Sequence, residues 1–159
     1  MKSSLSVLLL TVFMLTAVPA VQAQNFGTGV GATIGEPTGI SFKSWLTDRN
    51  AISGALSFSI SDNNSTFYTH FDFHRHTRFE QLGWDAGDLF FYYGAGLRYF
   101  WRDAGINDNF WAIRLPVGIN FQFLDASVDF FTELTPMFEV EPDFEFSFGG
   151  ALGFRYFFN

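Results

Sequence analysis

Three histidines and an aspartate that lie close together are the residues of this chain best suited to bind a metal ion or to act as a base. His70, Asp72, His74 and His76 occupy alternate positions, so that their side chains share one face of an extended strand. His70 and His74, however, would lie ~13 Å apart along a strand that rises ~3.3 Å per residue. His74, His76 and Glu80 form at most an adventitious site. We therefore predict no metal site and no cofactor.

The same segment contains the residue types of a hydrolase. A lipid esterase of the barrel type needs a serine beside a histidine on its lipid-facing surface, with a carboxylate that orients the base. The apolar face of this segment is formed by Phe71 and Phe73, the histidines lie on the other face, and no serine adjoins them on the apolar side. We expect Asp72 to pair with an arginine or lysine, and we predict no catalytic residue.

Composition excludes several further classes of protein. The chain contains no cysteine, which rules out disulfides, thiolate metal sites, a cysteine nucleophile and a lipid-modified cysteine. It has 9 Lys and Arg against 16 Asp and Glu, with no basic cluster, so nucleic-acid binding is not expected.

Charged residues make up 16% of the chain and aromatic residues 20%. Because soluble domains carry about 25% charged residues, this composition indicates contact with lipid.

The first residues have the pattern of an export signal. Lys2 supplies a short positive region, an apolar run follows from Leu5 to Val18, and Val21-Gln22-Ala23 has the small residues of a cleavage site. The run is shorter than the ~20 residues of a membrane-spanning helix. We therefore predict a cleaved signal peptide at residues 1–23 and a single mature domain at residues 24–159.

Alternation of bulky apolar residues with small or charged ones is clearest over residues 144–158 and predicts a strand with one apolar face. Similar segments recur along the chain, separated by turn residues such as Gly35-Glu36-Pro37-Thr38. They predict strands at about residues 26–35, 38–46, 51–61, 65–75, 88–101, 110–123, 126–139 and 144–158. The fold class is therefore all-β, an eight-stranded antiparallel up-and-down barrel, with its longest connection at 77–87.

The volume of the side chains decides which face of the strands points inward. The large apolar side chains would overfill an eight-stranded barrel, whose interior side chains just fill, whereas the opposite faces are rich in Gly and Ser. We therefore predict a transmembrane barrel with an aromatic, lipid-facing exterior and a polar interior. The predicted interior polar network consists of Lys43, His70, Asp72, His74, Arg98, Arg114, Asp129, Glu133, Glu145 and Arg155.

This network contains four permanent cations and four carboxylates. Such a balance is required of a buried set, because an unpaired charge away from water costs several kcal/mol. Counting across the Glu141-Pro142-Asp143 turn, one register places Arg155 opposite Asp129.

Closure and orientation follow from the lack of hydrogen-bonding partners in lipid. An open sheet edge would leave backbone groups unpaired, so the first and last strands must pair. An even number of strands places both termini in the periplasm. Outward aromatic residues near the strand ends form a predicted interfacial girdle, which consists of Tyr99, Trp101, Trp111, Tyr156 and Phe158.

In these features the chain resembles the small eight-stranded outer-membrane barrels, the group that includes the OmpX-like proteins and the membrane domain of the OmpA family. Gly35-Glu36-Pro37-Thr38-Gly39 and the closing Gly153-Phe154-Arg155-Tyr156-Phe157-Phe158 are similar to a bacterial barrel family that shares a GEPTG turn and a closing GxRYxF. The resemblance covers the whole mature chain and implies a fold and an outer-membrane location, without a catalytic residue. It also implies contact with the outer-membrane assembly machinery, which reads a terminal aromatic; here Asn159 follows Phe158.

For such a barrel we expect a structural or envelope-integrity role, as a monomer whose partner is membrane lipid. The short outer loops offer little area compared with the ~800 Å² per partner of a standard interface. The alternative is a binder or transporter of a lipid or small hydrophobic ligand, through the aromatic wall or a lateral opening. Pro116 and Pro136 mark where such an opening would lie, because proline removes a ladder donor. A narrow channel and a lipid-modifying enzyme are further alternatives.

Overall fold

The computed structural model describes residues 27–61, 64–79, 87–103, 107–123, 126–141 and 144–158. The predicted signal peptide at residues 1–23, Glu80 and Asn159 lie outside these ranges. Every regular element within them is a β-strand. No helix in the described ranges has the length and apolar character needed to cross a membrane.

The strands follow the predicted segments closely, and the prediction of an all-β barrel is confirmed. They are β1 Thr28–Gly35, β2 Gly39–Trp45, β3 Asn50–Ser61, β4 Asn64–Arg78, β5 Gly87–Asp103, β6 Asn107–Arg114, β7 Val117–Phe123, β8 Val128–Glu141 and β9 Glu145–Phe158. β6 and β7 both pair with β5 and β8, so they are two halves of one barrel strand.

The strands form a closed antiparallel ring. Each pairs with its neighbours along the chain, and β1 pairs with β9. At the closure, Gly31 lies opposite Arg155 and Ala32 lies opposite Phe154. Closure removes the exposed sheet edges that an open sheet would present. We call the end where β1 begins and β9 ends the terminal end, and the opposite end the loop end.

The sixth barrel strand is interrupted at Leu115 and Pro116, where the sequence predicted one continuous strand over 110–123. Proline has no backbone N–H to donate to a ladder. The register of this strand with both neighbours is nevertheless the same on the two sides of the interruption. The change is therefore local.

Hydrogen bonds continue across the interruption. The Leu115 N–H donates to the Pro136 carbonyl at 3.0 Å, and the Gly94 N–H donates to the Pro116 carbonyl at 2.8 Å. The carbonyl of each proline thus still accepts a hydrogen bond from the neighbouring strand, although the proline has no N–H to donate. The wall shows no lateral opening at this place.

The connection between the fourth and fifth strands is shorter than the predicted 77–87. β4 continues to Arg78 and β5 begins at Gly87. Beyond the strand end, the Phe79 N–H donates to the Leu89 carbonyl at 2.9 Å. The alternation of polar and apolar residues persists through this segment, and the pairing persists with it.

Side chains alternate between the inside and the outside of the barrel. On β9 the outward Phe144, Phe146 and Phe154 are 77%, 57% and 49% exposed, whereas the inward Gly153 and Arg155 are buried. Other strands expose large apolar side chains in the same way, among them Val30, Ile40, Phe58, Phe73, Leu97, Ile113, Ile119 and Phe130. The predicted polar interior and apolar exterior are thus present.

Aromatic side chains fill the bore at the terminal end. Trp45, Ala51 and Phe157 form a buried cluster. The ring centroid of Trp45 lies 4.3 Å from that of His76 and 5.7 Å from that of Phe90. This end of the interior is therefore packed like a protein core.

The closing register can be tested with a disulfide. Ala32 and Phe154 face outward from directly opposite positions, and their Cβ atoms are expected to be about 4.5–5.5 Å apart, close to the span of a disulfide. Since the chain has no cysteine of its own, A32C with F154C should form an intramolecular link on mild oxidation of the folded protein. Electrophoresis without reductant after boiling shows the link as a mobility shift.

The control is the double variant A32C with F148C. Phe148 lies opposite Pro136, and at ~3.3 Å per residue it is about 20 Å along β9 from Phe154. This variant should not form the link. Equal linking in both variants, or linking in neither, would contradict the register.

Candidate functional site: the polar interior

Inward positions on all nine strands build the polar interior. Of the predicted network, Lys43, Asp72, His74, Arg98, Arg114, Asp129, Glu133 and Arg155 are buried, none more than 7% exposed. The His70 side chain is 9% exposed and lies beside Asp72, with 3.6 Å between Nε2 and Oδ2. Most of the charged side chains that the sequence placed inside therefore lie there.

Arg114 projects from β6 into the bore and is fully buried. Its Nε donates to Asp72 Oδ1 at 3.1 Å, its Nη2 to Glu133 Oε1 at 2.8 Å and its Nη1 to the Tyr68 hydroxyl at 2.8 Å. The Tyr92 hydroxyl donates to the second oxygen of Glu133 at 3.0 Å. The rigid fork of one guanidinium thus joins β6 to β4 across the bore and to β8 beside it.

Asp129 accepts hydrogen bonds from two side chains in the half of the bore nearer the terminal end. Arg155, opposite it in the register, donates from Nε and Nη2 to its two oxygens at 3.0 and 3.1 Å. Asn120 Nδ2 donates to Asp129 Oδ2 at 2.9 Å, and Asn120 Oδ1 accepts from Lys43 Nζ at 2.9 Å. Lys43 Nζ lies 3.7 Å from Asp129 Oδ2. One carboxylate therefore faces two cations, the arginine in a bidentate pair.

Arg98 continues the network to the loop end. It donates to Glu36 Oε1 at 3.1 Å and to Glu139 Oε1 at 2.6 Å. Met137 Sδ lies 3.4 Å from Arg98 Nη1 and 3.8 Å from Arg114 Nη1, and so separates the two guanidinium groups. Because Glu36 belongs to the turn between β1 and β2, its pair with Arg98 holds this turn at the mouth of the barrel.

Glu145, predicted as part of the interior network, is instead exposed at the first residue of β9. It has the inward parity of Arg155, but the rim of the barrel leaves this last inward position open to solvent. Glu139, which lies opposite Glu145 in the register, provides the carboxylate that pairs with Arg98.

The histidines are packed into the interior without the geometry of a metal site. Ser53 Oγ lies 3.3 Å from His74 Nδ1, and Asp72 Oδ2 lies 3.9 Å from His74 Nε2. His76 is 1% exposed among aromatic rings. No group of three or more potential ligands within the described ranges could hold a metal ion. Ser53, His74 and Asp72 have the composition of a catalytic triad, but they are closed off from solvent.

Glycines on the inner face provide room for the larger interior groups. A Cβ atom on Gly118 would lie 2.6 Å from the Tyr92 hydroxyl, and one on Gly29 would lie 2.9 Å from the ring of Phe157. These distances are shorter than van der Waals contact. The small residues that the sequence placed on the inner face are therefore sites at which bulky interior side chains pack against the wall.

The residues of the predicted aromatic girdle face outward in two groups. Trp111, Tyr156 and Phe158 are 43%, 50% and 58% exposed, and Tyr99 and Trp101 are half-buried. The Tyr99 and Trp111 centroids are 4.8 Å apart near the loop end, and those of Tyr156 and Phe158 are 5.2 Å apart near the terminal end. Aromatic pairs thus flank the apolar surface at both ends.

Sequence analysis missed Glu36, Asn120 and Glu139 as members of the network. Glu139 has the same parity on β8 as Glu133, and Asn120 alternates with apolar neighbours on β7, so strand alternation contained the signal for both. Glu36 lies in a turn, where alternation carries no information about direction.

The role of the central cation can be tested by R114L. We expect the free energy of unfolding in detergent micelles to fall by about 3–5 kcal/mol, because Asp72 and Glu133 would remain buried without their cation. Urea titration followed by tryptophan fluorescence measures the loss.

The matched control is I113L, at the neighbouring outward position, which is 43% exposed. It should change the free energy of unfolding by no more than about 0.5 kcal/mol. A triple variant that adds D72N and E133Q to R114L should recover part of the loss, since the uncompensated charges are removed. Equal losses in R114L and I113L would contradict the inside and outside assignment.

Two solved structures are similar to this chain. The crystal structure of the N-terminal β-barrel domain of Pseudomonas aeruginosa OprF matches with a TM-score of 0.57 and 18% identity, over 85% of this chain and 100% of that chain. The crystal structure of Ail, the attachment invasion locus protein of Yersinia pestis, matches with a TM-score of 0.36 and 13% identity, over 84% of this chain and 95% of that chain. No protein-family model and no curated protein matches the chain. The similarity to the OprF domain establishes that this chain has the fold of a small outer-membrane β-barrel.

Proposed function

We propose that this protein is an integral barrel of the bacterial outer membrane with a structural role in envelope integrity. The observation that carries the proposal is the combination of an apolar outer wall with a bore occupied by paired charges. A soluble barrel that carries a ligand has the opposite arrangement, with its charges toward water and its large apolar side chains inside.

The outer wall supports the membrane location. Large apolar side chains are exposed on every barrel strand, far beyond the isolated patches that water-soluble monomers tolerate. The closed ring satisfies the backbone groups internally, as hydrocarbon requires. Export through the predicted signal peptide and insertion by the outer-membrane assembly machinery complete the proposal. The termini would then lie in the periplasm, and the partner of the monomer would be membrane lipid.

The filled bore supports a structural role over conduction. An eight-stranded barrel encloses a space that side chains just fill. Here Arg114 and Arg155 occupy it with their carboxylate partners, and aromatic rings around Trp45 pack the terminal end. Large conductance would require several of these buried pairs to separate together.

The alternative of lateral lipid entry has less support. An opening in the wall requires a broken ladder. The bonds at Leu115 and Pro116 span the break between β6 and β7, and β6 stays paired with β8 on both sides of the register shift between Trp111 and Ala112. For the same reason we do not propose transport through the wall, and the closed surroundings of His74 give no support to lipid-modifying chemistry.

The proposal is tested by expressing the full chain in a bacterium and extracting the membrane fraction in detergent. We expect the protein in that fraction, and we expect its unboiled form to migrate differently from its boiled form in SDS, because a closed barrel resists SDS. Planar bilayer recordings, with a porin as positive control, should show no steps of porin size. Identical mobility of the two forms, together with solubility in the absence of detergent, would contradict the membrane proposal; stable steps from the folded form would replace the structural role with a channel.

A further inference from the structure

One cation on the described strands points outward from the barrel wall. Arg75 lies on β4 with the outward parity of Phe71 and Phe73, and it is exposed. Among the strand side chains that the structure describes, Asp103 is the other charged group with outward parity, and it lies at the last residue of β5, at the loop end. Arg75 is therefore a charge on the apolar wall itself.

The place of Arg75 along its strand makes this charge tolerable. An arginine on the lipid face costs about 2–4 kcal/mol at the membrane midplane and about 0–1 kcal/mol near the interface. Arg75 lies three residues before Arg78, the end of β4, which is about 10 Å at ~3.3 Å per residue. Its long side chain can reach the headgroup region at the terminal end while its apolar stem stays on the wall.

The described residues engage little of the Arg75 guanidinium. Its Nη1 donates to Asn50 Oδ1 at 3.4 Å, a long hydrogen bond. Within the described ranges no carboxylate lies at ion-pair distance from it, whereas the nearby Arg78 pairs with Asp88. A guanidinium has five N–H donors in a planar fork that matches carboxylate and phosphate, so most of its donors are available to a ligand.

A second exposed arginine lies beside it. Arg49 is in the turn between β2 and β3, and its carbonyl accepts a hydrogen bond from the His76 N–H at 2.6 Å. Asn50, the next residue, lies opposite Arg75 in the register. Arg49 and Arg75 therefore present two exposed guanidinium groups at the terminal end, in addition to that of Arg78, which pairs with Asp88.

The surroundings select a lipid with a negative headgroup. Tyr93, opposite Arg75 on β5, is 48% exposed, and Phe73 on the same strand is 46% exposed, so acyl chains would lie against aromatic rings. Among the described residues, the terminal end exposes Arg49, Arg75 and Arg78 with one exposed carboxylate, Asp48. The loop end exposes three carboxylates, at Glu36, Asp103 and Glu145, with one exposed cation, Arg102. Negative lipid is thus favoured at the terminal end and disfavoured at the loop end.

We infer that Arg75, together with Arg49, binds the phosphate of an anionic phospholipid headgroup in the leaflet that surrounds the terminal end. The inference rests on the proposed membrane location. It assigns to this chain a lipid site on the wall between β3, β4 and β5, separate from the interior network.

The test compares lipid retention by the full-length expressed protein and by its R75Q variant. Each is extracted in detergent, reconstituted into vesicles of phosphatidylcholine with phosphatidylglycerol, extracted again, and its bound lipid is counted by native mass spectrometry. At ~1 kcal/mol for an arginine near an anionic surface, the preference for phosphatidylglycerol should fall about fivefold in R75Q. R49Q should reduce it in the same direction. D103N, which removes an outward charge at the other end, should not reduce it.

Unboiled mobility in SDS is recorded for every variant, so that loss of the barrel is separated from loss of lipid selection. A wild-type protein without the folded mobility would overturn the proposed function. A folded wild-type protein without the preference, or a folded R75Q that keeps it, would overturn the lipid site alone. If R75Q does not fold, R75K is measured in its place. R75K keeps the charge and loses the bidentate fork, so a folded R75K should also show a reduced preference for phosphatidylglycerol, and an unchanged preference would overturn the lipid site. Excess inorganic phosphate should not displace the lipid; displacement would indicate binding of a free ion and would also overturn the inference.

Discussion

The interior of an eight-stranded barrel is so narrow that every charge pointing into it leaves water and needs a partner of opposite sign. Arg114 meets this requirement by contacting Asp72 on β4 and Glu133 on β8. Lys43 reaches from β2 toward Asp129 on β8. The contacts of Arg114 with Asp72 and of Lys43 with Asp129 join strands that are not neighbours in the ring, so they hold its cross-section as well as neutralise charge. Removing one member of a buried pair destabilises the fold by more than the intact pair stabilises it, because the other charge remains buried without a partner.

The same limit on volume explains the outer wall. Once arginine and tyrosine side chains occupy the bore, little room remains for phenylalanine, and glycines such as Gly118 are needed beside Tyr92. Most of the phenylalanines therefore alternate to the outside. Phe131 is an exception, and there the Arg155 guanidinium lies over its ring at 4.1 Å, which lets an inward aromatic residue contribute to holding a buried cation.

Local patterns predicted much of this arrangement, and contacts across the ring escaped them. The alternation of apolar with small or polar residues indicated the strands and which face of each is apolar. It could do so because this pattern depends only on residues that are close in sequence. The position of Arg155 opposite Asp129 followed from the short turn that joins β8 to β9, since a hairpin turn fixes register. The contact between Arg114 and Asp72 depends on the stagger of the whole ring, which no local pattern encodes. Glu36 joins the network from a turn, where side chains do not alternate between two faces, so the sequence could not predict its direction.

The residue types of a catalytic triad lie in the interior, where they are buried. Ser53, His74 and Asp72 lie together, but each is at most 4% exposed, and Asp72 is already engaged by the buried Arg114. A nucleophile and its base act only where a substrate can reach them, and the strand ladder keeps its bonds even beside Pro116. The interior groups are therefore arranged to stabilise the barrel, whereas the groups that face other molecules are those of the apolar wall and of its two ends.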